Sequence, residues 1–462
     1  MTNSAPSVNG SILRTEKIVY QGQALARDSR FVVFVDNALP DETVRVHIYK
    51  KKKNFAFARV VEILEPSPDR VEPDCPWAGD CGGCTFRHAA YAAQLRYKKD
   101  NLIEALHGLP GARELIRDVV PAPDINDYRN KMVFTFGTSP DGELLLGLHR
   151  RGSYRHILPA DVCKLQSEAS REIVRRVVAL ANELGVPAFH DKRQPNGLRT
   201  LTIREARGTG QRLVELLSTV PDDDLAAGLV NTLDDLADTI TFALCTNLQG
   251  PPRPERRAIL KGTGTIEEVM NGMRFLIDPD TFFQSNTIQA EALFSRLREL
   301  AASSGRPEVA LDLFAGTGPI ALQLAAVAKR VIGVESFAPS VEAARQNIAR
   351  NRINNVDMLA ADLNKVRPEG LPARVDLVVV DPPRPGLTPK TIEWMLDLAP
   401  AAILYVSCNP AALARDLKLL VNGGYQLDTI EPFDLFPHTY HIETLVRLSR
   451  ADATDAAARP AT

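Results

Sequence analysis

The chain has 462 residues, too many for one ordinary hydrophobic core, so two or three domains are expected. Its 45% hydrophobic and 24% charged residues are ordinary for a soluble globular protein. With a formal net charge of -2, any surface for nucleic acid must be local rather than global.

Residues 1–9 are polar, lack the apolar stretch of a signal peptide and are expected to be disordered. Residues 10–65 read as β. Phe31–Val35 is a short apolar run, and Thr43–Tyr49 alternates with Val44, Val46 and Ile48 on one face. Several short strands in so few residues suggest a small barrel of OB type. Pro66, Pro68 and Pro73 mark a linker into a central mixed α/β region, 66–270. There Ser167–Leu184 reads as an amphipathic helix, and Thr200–Arg204 and Arg212–Ser218 as paired strands. Pro251, Pro252 and Pro254 punctuate a loop before the last region.

In residues 271–449 strands and helices alternate. Strand Val309–Phe314 leads through glycines into helix Pro319–Ala328, and strand Val331–Val334 into helix Pro339–Asn351. Val375–Val380 ends in Asp381-Pro-Pro, and Ala402–Ser407 in Cys408-Asn-Pro. This order predicts a doubly wound parallel sheet, an α/β fold of Rossmann-like type. Val309–Ala328, the most apolar window, contains Asp312 and two glycines, so it is no membrane span. A cytoplasmic location without membrane contact is expected. The tail 450–462, rich in Ala and Asp, is expected to be disordered.

Asp312-Leu-Phe314-Ala-Gly316-Thr-Gly318 joins a strand to a helix. Such glycines let the backbone turn tightly and approach a ligand. Glu335, just after the next strand, is placed to accept hydrogen bonds from the ribose hydroxyls of an adenosine. The turn alone leaves NAD open, whereas Asp312 and Asp381-Pro-Pro-Arg384 favour a methyl donor. Asp362 follows the third strand, Val356–Leu359, in a loop that reaches the same crevice. Spacing alone leaves a solvated loop acid equally open there.

Cys408 sits just past an apolar strand, on the sheet edge that carries Gly316, Glu335 and Asp381. A buried strand cysteine is more often inert packing, but one at a strand end beside a cofactor suits nucleophilic catalysis. A thiolate that adds to C6 of uracil makes C5 reactive toward a sulfonium methyl, and a base must then remove the C5 proton. Phe436-Pro-His438-Thr-Tyr-His441-Ile-Glu443 offers such bases. His438 and His441 lack the i, i+4 spacing of a helical metal pair.

Ser407-Cys408-Asn409-Pro410, Asp381-Pro-Pro-Arg384, Phe282-Phe-Gln284-Ser-Asn286 and Phe436-Pro-His-Thr…Glu443 together resemble the RNA uracil-5-methyltransferase family, over roughly Leu13 to Ser449. The resemblance implies a class I methyltransferase domain that uses S-adenosylmethionine. It implies Cys408 as nucleophile and Glu443 as the base. It gives Gln284, Phe314, Glu335, Asp362 and Asp381 contacts to the donor or the uracil. Pro319 stands where many relatives carry Asn or Thr, so a side-chain hydrogen bond is missing there.

Three cysteines crowd into Cys75-x5-Cys81-x2-Cys84, with Cys163 further on. Chemistry alone leaves structural zinc and an iron–sulfur cluster open. The family resemblance implies a 4Fe-4S cluster on Cys75, Cys81, Cys84 and Cys163. Cys245 reads as packing. Tyr20-Gln-Gly22…Arg59-Val-Val-Glu62 resembles a TRAM domain, an RNA-binding OB variant over residues 10–65. Tyr49-Lys-Lys-Lys-Lys53-Asn-Phe55 sets lysines between aromatics on that barrel, which suits a single strand, although a lone lysine run is usually just solvated. Tyr128-Arg-Asn-Lys131 is a further RNA-contact candidate, and Phe282 or Phe283 could stack on a flipped uracil.

The partner expected is RNA, with 23S ribosomal RNA favoured by analogy and transfer RNA as the alternative. No obligate protein partner is inferred. A non-catalytic RNA-binding or chaperone protein, and a redox sensor, are the competing readings.

Overall fold

A computed structural model describes residues 9–28, 31–190, 194–247, 252–303, 305–365 and 367–450. The expected disordered ends fall outside these residues, except that Asn9 opens the first strand and Arg450 ends the last one. Part of the expected Pro251 loop also lies outside them. Among the described residues no helix is long and apolar enough to cross a membrane.

The N-terminal strands Asn9–Ile18, Ala24–Asp28, Phe31–Asp36, Thr43–Lys51 and Phe55–Glu65 close into a barrel. The alternation read in the sequence sets its inside. Val33, Val35, Val44 and Val46 are fully buried, with Ala24, Ala26 and Ala58 beside them. A barrel of five strands is narrow, so short side chains fill it.

The central region is a seven-stranded sheet. Leu198–Glu205 pairs antiparallel with Arg212–Ser218 and with Lys131–Thr138. Helix Glu168–Glu183 starts at Ser167, whose hydroxyl accepts the Ser170 N–H at 3.1 Å, an N-cap. Its apolar stripe, Ile173, Val174, Val177 and Ala181, packs with Phe134, Leu201 and Ile203 of the sheet.

The C-terminal sheet also has seven strands, in the spatial order Val356–Ala360, Arg330–Glu335, Val309–Leu313, Leu377–Val380, Ala402–Ser407, Glu443–Arg450, Tyr425–Phe433. The first five are parallel. Their apolar runs are buried on both faces, as parallel strands require. Leu311, Val378 and Ile403 join one core, and Ala310, Val379 and Leu404 the other. The expectation of a purely parallel sheet needs correction. Glu443–Arg450 is antiparallel to both neighbours, so its first residue lies where the parallel strands end.

Two segments cross the regional boundaries expected from sequence. Hairpin Ile266–Met270 and Met273–Ile277 spans residue 270, and its Met270 and Phe275 join the C-terminal core. Leu102, Leu106 and Ile116, far earlier in the chain, pack into the other C-terminal core, and Val120 bridges to Phe433. Their apolar side chains are buried in that distant core.

Helix Tyr91–Ala105 carries the pivotal contact. Lys98, 1% exposed, donates to Asp434 at 2.5 Å and to the Phe436 carbonyl at 3.0 Å. Burial pulls the Lys98 ammonium below its usual range, and Asp434 opposes that. Removing the cation leaves a desolvated carboxylate alone. Lys98→Met is expected to destabilise the protein by about 3–5 kcal/mol. Unfolding in urea checks this; a loss below about 1 kcal/mol would mean the pair contributes little.

Candidate active site and cysteine pocket

Strand Val309–Leu313 ends in a turn that only unusual backbone can make. Phe314, Gly316 and Gly318 have φ of 64°, 55° and 87°. Glycine reaches such angles without steric cost, and Phe314 is held there by its surroundings. The Ala315 N–H donates to Val334 at 3.0 Å, and Asn347 holds the Thr317 carbonyl at 3.0 Å. Glu335 accepts the Gly316 N–H at 3.1 Å with one oxygen, and the N–H groups of Ser336 and Phe337 at 2.7 Å with the other. Pro319 occupies the first turn of helix Pro319–Leu324, where a missing N–H costs nothing. Asp362 lies one loop further out, tethered by the Ala361 N–H to the Glu335 carbonyl at 3.0 Å. Its carboxylate is engaged by the Asn364 N–H and Lys365.

Cys408 and Glu443 meet because Ser407 pairs with Thr444 across the antiparallel strands. The next residues outward are the thiol and the carboxyl. Asp381 follows Val380 on the neighbouring parallel strand, and its N–H points at the Leu313 carbonyl at 3.4 Å. Phe314, Glu335, Asp381, Cys408 and Glu443 thus share one sheet edge.

This edge is short of positive charge. Burial and the Glu443 and Asp381 carboxyls push the Cys408 thiol up to about 11, and Arg384 opposes them. Burial, then Asp381, carries Glu443 well above the ordinary carboxylate range. Desolvation pushes Asp381 up to about 7. Asp312, fully buried beneath them, is also raised, by burial first and Asp381 next. Burial thus disfavours the charged form of each of these four groups.

The segment before Glu443 is clamped from the N-terminal half. The Thr85 and Phe86 N–H groups donate to the His438 carbonyl at 2.8 and 2.9 Å. Gln94 accepts the His438 N–H at 2.8 Å, and the Tyr128 hydroxyl donates to the Pro437 carbonyl at 3.1 Å. Burial pulls His438 down to about 3 and His441 down to about 4, so both stay neutral. His438 is thus a structural residue. Tyr20 of the barrel stacks edge-on against Tyr440 at 5.4 Å and faces Cys408 and Glu443 electrostatically. No periodicity or motif chemistry singles Tyr20 out for that place.

Gln284 lies in a groove lined by Arg129, Lys131, Phe282 and Phe436. Of the two stacking candidates, Phe282 is 70% exposed, whereas Phe283 is buried against Phe275. Within Tyr128–Lys131 the roles divide. Tyr128 and Asn130 are buried and hold neighbouring backbone, while Arg129 and Lys131 face the groove.

Cys75, Cys81, Cys84 and Cys163 line one pocket with Trp77, Leu148, Leu158 and Leu165. Among the described residues no group of three or more His, Cys, Asp or Glu could hold a metal ion as it stands. The donor set nevertheless fits a cluster. Four thiols face one apolar space, and the Gly83 N–H already donates to the Cys81 sulfur at 3.3 Å, as cluster sulfurs accept. On the barrel, Lys50 and Lys51 lie over Phe57 and Phe31 at 5.6 and 4.8 Å, and Tyr49 is half exposed.

The thiol's environment predicts its reactivity. Alkylation of Cys408 by iodoacetamide should rise about tenfold per pH unit and level off only near pH 11. Arg384→Ala removes the group that lowers the thiol and should move the rise to higher pH. Peptide mass spectrometry across pH checks both; a plateau near neutral pH would contradict this electrostatic picture.

Comparison with known proteins agrees with this geometry. Residues 265–451 match the tRNA (uracil-5-)-methyltransferase family, and residues 12–61 match the TRAM domain. An uncharacterized RNA methyltransferase of Clostridium tetani is 35% identical over 95% of this chain and 97% of its own. One from Gloeobacter violaceus is 38% identical over 93% and 94%. The crystal structure of Pyrococcus abyssi tRNA (uracil-54, C5)-methyltransferase with S-adenosyl-L-homocysteine is 27% identical. It superimposes with a TM-score of 0.77 over 95% of this chain and 99% of that one. A glycine turn, an acid at the second strand and a paired thiol and carboxyl stand together on one methyltransferase sheet behind an OB-type barrel, and this chain belongs to the RNA uracil-5-methyltransferase family as an S-adenosylmethionine-dependent RNA methyltransferase.

Proposed function

We propose that the enzyme methylates C5 of a specific uridine in 23S ribosomal RNA, with Cys408 as nucleophile and Glu443 as the base. The observation that carries this reading is the pairing of Ser407 with Thr444, which sets thiol and carboxyl side by side at the cofactor edge.

Bound S-adenosylmethionine supplies an electrophilic methyl on a sulfonium. Glu335, with one oxygen on a single backbone N–H, offers lone pairs to the ribose. Phe314, Gln284, Asp362 and Asp381 complete the proposed contacts to donor or uracil. A positive sulfonium at this edge favours the ionised forms of Cys408, Glu443 and Asp381. The Cys408 thiolate adds to C6 of the uracil, which places electron density on C5. C5 takes the methyl as the sulfonium S–CH3 bond breaks and S-adenosylhomocysteine leaves; the Glu443 carboxylate then removes the C5 proton and the Cys408–C6 bond breaks. The proton ends on Glu443 and the thiolate is restored. Desolvation makes that carboxylate a stronger base than an exposed one.

Cys75, Cys81, Cys84 and Cys163 are proposed to hold a 4Fe-4S cluster. Methyl transfer needs no electron, so its part is structural. The barrel together with this pocket supports the ribosomal reading by analogy. A transfer-RNA substrate is the second reading, favoured by the similarity to the Pyrococcus abyssi enzyme across nearly the whole chain.

Cys408→Ala should abolish methyl transfer. Glu443→Gln should slow turnover by about 10²–10⁴-fold and accumulate a covalent RNA–protein adduct on denaturing gels. Normal turnover without adduct would remove Glu443 from its role and leave Cys408 in its own. Mapping 5-methyluridine with and without the gene should show a loss in 23S ribosomal RNA; a loss in transfer RNA instead would select the second reading. Anaerobic protein should be brown with about 4 iron atoms per chain. Colourless protein with stoichiometric zinc would overturn the cluster.

A further inference from the structure

The loop between strands Leu144–His149 and Ile157–Pro159 reads His149-Arg-Arg-Gly-Ser-Tyr-Arg-His156. It holds cations and an aromatic ring and no acid. Tyr154 is 92% exposed, and Arg150, Arg155 and His156 are exposed around it. A charged loop tip is ordinarily just solvated. Two features set this one apart.

First, the loop is built. The Arg150 N–H donates to the His156 carbonyl at 2.9 Å, and the Ser153 N–H to the Arg150 carbonyl at 2.9 Å. The Ser153 hydroxyl meets His156 Nδ1 at 2.9 Å and accepts the N–H groups of Arg155 and His156. Gly152, at φ of 72°, makes the turn. The Tyr154 ring stands edge-to-face with His149, centroids 6.0 Å apart, so a ring that buries little is still oriented.

Second, its base rests on the cysteine loop. The Gly82 N–H donates to the His149 carbonyl at 3.2 Å, and the Arg151 N–H to the Asp80 carbonyl at 2.8 Å. The Arg151 guanidinium donates to the Cys84 carbonyl at 2.8 Å, and Arg150 pairs with Asp80 at 3.0 Å. The same loop continues into Thr85 and Phe86, which grip His438 in the segment leading to Glu443. Arg151 also bears electrostatically on Tyr49, at the head of the lysine run. Backbone hydrogen bonds thus join the hairpin through the cysteine loop to the segment leading to Glu443.

We infer that the His149–His156 hairpin is an RNA-binding element that takes a single-stranded stretch flanking the target uridine. Tyr154 stacks on a base, and Arg150 and Arg155 hold phosphates. The inference rests on the RNA methyltransferase reading and adds a site to it. Cations interleaved with an exposed ring match a polyanion with π faces.

The test is anisotropy of a labelled oligouridine RNA with the full-length, anaerobically purified protein, titrated at several salt concentrations. Tyr154→Ala should weaken binding about 10-fold and leave the salt slope unchanged. Arg155→Ala should lower the slope by about one, and Arg155→Lys should restore it. The KM for unmodified bulk RNA should rise in Tyr154→Ala and Arg155→Ala, while the KM for S-adenosylmethionine stays put. Wild-type oligouridine affinity and slope in these two variants would overturn the inference and leave the tyrosine as a protein-contact residue. Equal weakening on duplex RNA would overturn single-strand stacking. Absence of methyl transfer to any RNA by the wild type would instead remove the functional reading beneath it.

Discussion

The direction of one strand governs the site. Glu443–Arg450 inserts antiparallel between Ala402–Ser407 and Tyr425–Phe433. Parallel strands deliver ligand-facing residues at their carboxyl ends. A reversed strand delivers its first residue to that same edge, so Glu443 arrives beside Cys408. The connection from Phe433 must then run across the crevice mouth. It is irregular backbone over a buried site, and its polar groups need partners.

Those partners come from the other end of the chain. Lys98 takes Asp434 and the Phe436 carbonyl, Tyr128 takes Pro437, and Gln94, Thr85 and Phe86 take His438. The segment leading to Glu443 is therefore held by the N-terminal half of the chain as well as by the C-terminal sheet. The cysteine loop is the hub of this arrangement. It reaches the barrel where Asn37 donates to the Gly79 carbonyl at 3.2 Å, the central sheet at His149, and the catalytic segment at His438. A loop of that length has little apolar surface of its own, and four inward thiols suit a metal cluster as its core.

Electrostatics at the edge follow from the same packing. Asp381 and Glu443 both raise the Cys408 thiol, with Arg384 as the opposing charge. Asp381 also raises Asp312 and Glu443, and burial is the largest cause for all of them. A cation brought to such an edge would favour the ionised forms of these groups.

Local signals in the sequence determined much of this protein. Alternation at Val44 and Val46, the helix after Ser167, and the strand–turn–helix at Gly316 and Gly318 depend on residues close in the chain, and all formed, although the last helix ends at Leu324 rather than at Ala328. Cys408 at a strand end was legible for the same reason. The packing of Leu102 and Ile116 into the C-terminal core, the place of Tyr20 near Cys408, and the division of Tyr128–Lys131 into buried and groove-facing residues were not legible. Each depends on contacts between segments tens to hundreds of residues apart. Strand Glu443–Arg450 was not among those read from the sequence, and its residues carry no mark of its direction. Only pairing with Ala402–Ser407 decides that, because backbone hydrogen bonds of either polarity satisfy the same side-chain pattern.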